Sequence, residues 1–123
     1  MNKQVASNLV NKVALVTGGS RGIGAAIAKR LAADGASVAI TYAKDASAAS
    51  AVVKAIERNG GKAIAIVADA ADVKAVGAAV EKTVATFGRL DVLVNNAGTA
   101  IPKPFAETTL EDMDRVKIGR AHV

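Results

Sequence analysis

One stretch restricts this chain more than any other: Thr17-Gly18-Gly19-Ser20-Arg21-Gly22-Ile23-Gly24. The apolar run Val13-Ala14-Leu15-Val16 precedes it and reads as a buried strand. Ala25-Ala26-Ile27-Ala28-Lys29-Arg30-Leu31 follows and reads as a helix. A strand, a glycine-rich turn and a helix start in that order build an anion site. The first N–H groups of a helix lack intrahelical partners, and the aligned peptide dipoles make that end partly positive. Glycines remove the Cβ atoms that would hold a phosphate away from those donors. Gly18, Gly22 and Gly24 fit G-x-x-x-G-x-G, not the commoner G-x-G-x-x-G, and no Gly-Lys-Ser/Thr follows, which argues against a nucleoside-triphosphate loop.

The remaining chain repeats the strand–helix alternation. Residues 1–11 read as a short leader, and Lys12 to Val16 as the first strand. A helix from Ile23 to Ala33 carries Ile23, Ile27 and Leu31 on one face, expected inward, and ends at Asp34-Gly35. Ser37 to Thr41 is the second strand, ending at Tyr42. Either Asp45 or Ser47 can cap a helix over residues 46–58, with Val52, Val53 and Ile56 inward and Asn59-Gly60-Gly61 as its stop. Lys62 to Val67 is the third strand. Asp72 caps a third helix over about 73–86, with Val73, Val76, Val80 and Val84 inward. Leu90 to Val94 is the fourth strand, and Asn95-Asn96-Ala97-Gly98 the turn beyond it.

This order predicts an α/β, Rossmann-type doubly wound parallel sheet, with strands buried on both faces and helices on both sides. The predicted sheet is incomplete: four strands, three helices and the start of a fourth helix. Ligands of such sheets lie beyond the carboxyl ends of the strands. Gly18–Gly24, Thr41-Tyr42, Asp69 and Asn95–Gly98 all fall there.

Composition narrows the class. With two Phe and one Tyr among 123 residues, packing falls to Val, Ile, Leu and Ala. The absence of cysteine excludes disulfides, thiolate metal sites and a cysteine nucleophile. Net charge is +5, but the basic residues are scattered and stacking aromatics nearly absent, so nucleic acid is not the expected partner. Neither a signal-peptide core nor a membrane-spanning run is present, and a cytoplasmic protein is expected.

The pair Thr17-Gly18-x-x-x-Gly22-x-Gly24 and Asn95-Asn96-Ala97-Gly98, across residues 12–116, resembles the short-chain dehydrogenase/reductase family. Within it the chain looks most like bacterial beta-ketoacyl–acyl carrier protein reductases. The resemblance implies a dinucleotide whose diphosphate and adenosine side rest on Gly18, Ser20, Arg21, Gly22, Ile23 and Gly24. It implies that Asp69, with the backbone at Ala70, meets the adenine amino group; a turn-forming Asp is the alternative. Asn95, Ala97 and Gly98 match the turn beside the adenosine ribose and nicotinamide, and Asn96 is either part of that turn's contacts or a structural tie.

Charge then selects the coenzyme. A ribose 2′-hydroxyl is usually held by an acid about 20 residues past the glycines. Here the second strand ends Ile40-Thr41-Tyr42-Ala43, without an acid, which permits a 2′-phosphate. Arg21 can pair with it and Lys44 assist, Arg21 as a solvated turn residue being the alternative. NADP is expected rather than NAD.

The family's acid–base chemistry needs a tyrosine, a lysine four residues later, a serine and an asparagine. The single tyrosine here is Tyr42, followed four residues on by Ala46. No catalytic residue is therefore assigned, and the chain reads as the cofactor-binding half of a longer, oligomeric reductase of small carbonyl or alcohol substrates. Residues 109–116 resemble the family's fourth helix. Lys117-Ile118-Gly119-Arg120-Ala121-His122-Val123 breaks from it, and is the translation of AAG ATC GGA AGA GCA CAC GTC, which matches a common sequencing-library adapter in all but the first base. Residues 117–123 are expected to be an adapter-derived tail, and His122 is given no function.

Overall fold

The apolar runs pair side by side because neither face of any of them is polar enough to meet water alone. The computed structural model describes residues 9–69 and 71–96. In chain order the elements are β1 (Val13–Val16), α1 (Gly22–Ala33), β2 (Ser37–Tyr42), α2 (Ala46–Arg58), β3 (Lys62–Val67), α3 (Val73–Phe87) and β4 (Val92–Val94). The strands form one parallel sheet in the order β3-β2-β1-β4. Successive strands step outward from β1 to β3, then β4 returns to the other side of β1. That reversal opens a crevice beyond the carboxyl ends of β1 and β4.

Two apolar clusters lie on opposite faces of the sheet. Val16, Val38, Ile40 and Val94 meet α1 and α2 on one face. Val13, Leu15, Ala39 and Leu93 meet α3 on the other. Adjacent strand residues thus serve alternate faces, and β1 is buried along its whole length. The helices start and stop where the sequence signals them. Asp45 caps α2 by accepting from the Ala48 amide, and Asp72 caps α3 by accepting from Lys74 and Ala75.

Three expectations change. The inward face of α1 is Gly24, Ala25 and Ala28, whereas Ile23 is 73% exposed and Ile27 and Leu31 are only partly buried. Small residues win because they let the helix axis approach the sheet closely. Second, β3 is an edge strand with one face open beside α2, so Ala65 and Val67 are exposed rather than enclosed. Third, β1 and β4 start later than expected, at Val13 and Val92 instead of Lys12 and Leu90. Of the leader expected over 1–11, residues 9–11 are described: the Leu9 amide donates to the Asp34 carbonyl and its side chain packs on the α1–α2 cluster. Residues 1–8, the expected fourth helix and the expected tail lie outside the described residues.

A buried acid joins the start of β4 to the start of β1 at the edge away from the crevice. Asp91 Oδ2 accepts from the Val13 amide at 2.8 Å, and Oδ1 accepts from Arg89 Nη2 at 2.8 Å. In return the Asp91 amide donates to the Val13 carbonyl. The Asp91 side chain is only 3% exposed, so its hydrogen bonds form away from competing water. Asp91→Ala leaves the Val13 amide and the Arg89 guanidinium without their acceptor. It should lower stability by about 3 kcal/mol in urea unfolding, and Asp91→Asn by less because one acceptor oxygen remains.

Candidate functional site

The glycine-rich turn is built around Gly18. That residue takes φ +65°, a conformation available to glycine at little cost, and so turns the chain off the end of β1. Its amide donates to Thr41 Oγ1 at 3.0 Å, and its carbonyl accepts from Asn96 Nδ2 at 3.1 Å. The Gly19 amide donates to the Thr41 carbonyl at 3.1 Å. The ends of β1, β2 and β4 are therefore stitched together through the two peptides that flank the Gly18 α-carbon. Asn96 serves as a structural tie, one of the two roles the sequence left open.

Space is as restricted as bonding. A Cβ on Gly24 would run into the Gly18 carbonyl oxygen and lie 2.5 Å from Asn96 Nδ2. One on Gly19 would lie 2.6 Å from Ile40 Cγ2. Gly22 differs: its φ is +60°, but nothing lies within 4 Å of its Cβ position. The turn is thus closed below, where Gly18, Gly19 and Gly24 pack against protein, and open above at Gly22.

The helix start faces that open side. Arg21 occupies the N-cap of α1 in an extended conformation, without a side-chain cap bond, and no acid sits in the first turn. The contrast with α2 and α3, each capped by an aspartate, is chemical: of the three described helices only α1 leaves its leading amides to an outside acceptor. Arg21 and Ile23 are exposed beside them and Ser20 is half-buried.

The other expected residues lie on the same sheet edge. Thr17 is buried at the end of β1; its amide donates to the Val94 carbonyl at 2.9 Å, and its hydroxyl lies 3.2 Å from Asn95 Oδ1. Tyr42 is half-buried at the end of β2, packed on the α1–α2 cluster, and its carbonyl accepts from the Ala68 amide. Asp69 is exposed beyond β3 and shapes its own turn: Oδ1 accepts from the Ala71 amide at 2.9 Å and the carbonyl from the Asp72 amide. Ala70, Ala97 and Gly98 lie outside the described residues. A cleft of about 320 Å³, lined by Lys29, Ser37, Lys62 and the chain around Gly35 and Gly60, opens on the opposite edge, where β2 and β3 begin. It shares no residue with the glycine turn.

Sequence reasoning did not single out Gly19 or the hydroxyl of Thr41, because their partners are distant in the chain. It also passed over Asp91, although an acid set just before an apolar strand, two residues after an arginine, is a legible signal.

The chain is similar to known proteins along most of its length. A family model described as short chain dehydrogenase matches residues 12–118. A hydroxynaphthalene reductase of Aspergillus fumigatus is 52% identical over 108 residues, 88% of this chain and 40% of that protein. A short-chain dehydrogenase of Burkholderia cenocepacia, solved in complex with NADP, is 67% identical with a TM-score of 0.69, over 71% of this chain and 36% of that one. A blue fluorescent protein from a metagenomic library, solved with NADPH, is 52% identical with a TM-score of 0.72, over 89% of this chain and 45% of that one. The chain thus spans less than half the length of these relatives.

The two helix-start glycines should respond differently to alanine. Gly24→Ala forces apart the Gly18 carbonyl and Asn96, costing about 3 kcal/mol in urea unfolding. Gly22→Ala meets no atom and should cost about 1 kcal/mol, the left-handed penalty alone.

Proposed function

The chain belongs to the short-chain dehydrogenase family, and on that premise we propose that it is the NADP-binding part of an oxidoreductase. The full-length protein would move hydride between a nicotinamide and a small carbonyl or alcohol substrate, 3-oxoacyl thioesters being the candidate class. The carrying observation is the start of α1: uncapped, free of acid, opened by Gly22 and flanked by exposed Arg21. An anion placed there gains the leading amides and the helix dipole together. The NADP and NADPH bound by the two solved relatives support the same reading.

We assign each residue a part from the family resemblance. The amides from Ser20 to Gly24 receive the diphosphate. Gly18 takes part through its conformation, since its own amide is already bonded to Thr41. Arg21 pairs with the 2′-phosphate, Lys44 adds positive potential, and Tyr42 borders the adenosine ribose. The first acid after β2, Asp45, caps α2 and so is directed to the Ala48 amide. Asp69 has one oxygen in its turn and the other for the adenine amino group, with the Ala70 backbone beside it. Asn95, Ala97 and Gly98 border the ribose and nicotinamide. Bound NADPH supplies the hydride; this chain's residues bind and orient it.

A second reading concerns the 123 residues as they stand: a dinucleotide-binding unit without turnover. Its only tyrosine ends β2 on the adenosine side and has no lysine four residues on. We place the parent protein in the cytoplasm as a homo-oligomer with no nucleic-acid or membrane partner; among the described residues no helix is long and apolar enough to cross a membrane.

NADP should raise the melting temperature of this chain, while NADPH is not oxidised on addition of a short 3-oxoacyl thioester. Arg21→Ala should weaken NADP binding about tenfold and leave NAD binding unchanged, a charge-assisted hydrogen bond at an exposed site being worth about that much. Titration calorimetry with both coenzymes checks it; equal losses for the two would refute the assignment of Arg21.

A further inference from the structure

Building on the cofactor reading above, we propose that Thr41 is a positioning residue for the diphosphate, acting on the glycine turn and not on the nucleotide. Thr41 is 1% exposed, one residue from the end of β2. Both of its oxygens hold the turn: Oγ1 accepts from the Gly18 amide and the carbonyl from the Gly19 amide. These amides are thereby withdrawn from ligand binding. The phosphate donors begin beyond them, and their position depends on how the backbone at Gly18 is set.

The N–H on one side of the Gly18 α-carbon is held by Thr41 Oγ1, and the Gly18–Gly19 peptide on the other side is held by Asn96 at its carbonyl and by the Thr41 carbonyl at its N–H. The Gly18 carbonyl oxygen also abuts Gly24, inside the first turn of α1. Rotation about the N–Cα and Cα–C bonds of Gly18, which link its amide to its carbonyl, therefore displaces that carbonyl against the helix start that carries the donors. Loss of the Thr41 hydroxyl leaves the Gly18 amide seeking another acceptor, and the cheapest response is that rotation. The same displacement reaches any dinucleotide, because the diphosphate is common to NAD and NADP.

Three roles for Thr41 predict different outcomes. A positioning role lowers affinity for both coenzymes by one factor. A direct contact with the 2′-phosphate lowers NADP affinity alone. A purely structural role lowers the melting temperature and leaves the affinity of the folded protein unchanged.

The test is calorimetric titration of the full chain with NADP and with NAD, well below each variant's melting temperature. Thr41→Val keeps the shape and removes the acceptor; both affinities should fall about tenfold. Thr41→Ser should restore them to within about twofold of the original, since the hydroxyl returns. Thr83→Val is the control: that buried hydroxyl donates to the Ala79 carbonyl within α3, and its loss should lower stability without changing either affinity. If Thr41→Val does not melt cooperatively, Asn96→Ser removes the other tie on Gly18 and should give the same equal loss.

Unchanged affinities in Thr41→Val, a loss confined to NADP, or a serine variant as weak as the valine one would each overturn the proposal. Failure of the unsubstituted chain to take up NADP would refute the cofactor reading itself and this inference with it. The unsubstituted control tells these failures apart.

Discussion

The contact between the Gly18 carbonyl and the first turn of α1 is the constraint on which the rest of this molecule depends. A helix can present its leading amides to a ligand only if nothing in the protein occupies them and if the helix is held still. The first condition is met by an N-cap without a capping bond. The second is met by close packing. Gly24 lies so near the Gly18 carbonyl that no side chain fits between, and Asn96 reaches the same oxygen from the end of β4. Small residues at Ala25 and Ala28 continue that approach along the buried side of the helix.

This arrangement separates stability from binding in space. At the crevice edge the protein uses the backbone groups of Thr17, Gly18 and Gly19 and leaves the leading amides of α1 for a ligand. At the other edge, Asp91 saturates the start of β1 with hydrogen bonds and is itself neutralised by Arg89. Asp91 is tied within the protein while Arg21 projects into solvent, so the sheet has one edge that closes on itself and one that offers charge. Burial makes the Asp91 contacts stronger and the exposed Arg21 charge weaker until an anion displaces water from it.

Much of the fold was legible. The seven described elements stand within two residues of where periodicity, caps and glycine stops put them, because those signals are local: Asp45 and Asp72 bond to amides two or three residues away. The misreading of α1 is instructive. Ile23, Ile27 and Leu31 have the right spacing for a buried stripe, yet the helix turns its smallest side chains to the sheet. Periodicity measures which residues share a face; it does not measure how close that face must come to its neighbour. Equally, an apolar run does not say whether it will be central, as β1 is, or an edge, as β3 is.

What the residues alone determined is the alternation of strands and helices, and the exposed helix start that follows the first strand. Both rest on interactions within a few residues, and on the freedom of glycine to turn where other residues cannot. Only the tertiary structure decided which glycines are open to a ligand and which are walls, since that depends on Ile40, Thr41 and Asn96 arriving from strands far along the chain. It also decided that Asn96 is a tie and Asp91 a latch. A side-chain amide or carboxylate has many possible partners in a sequence, and packing leaves it with one.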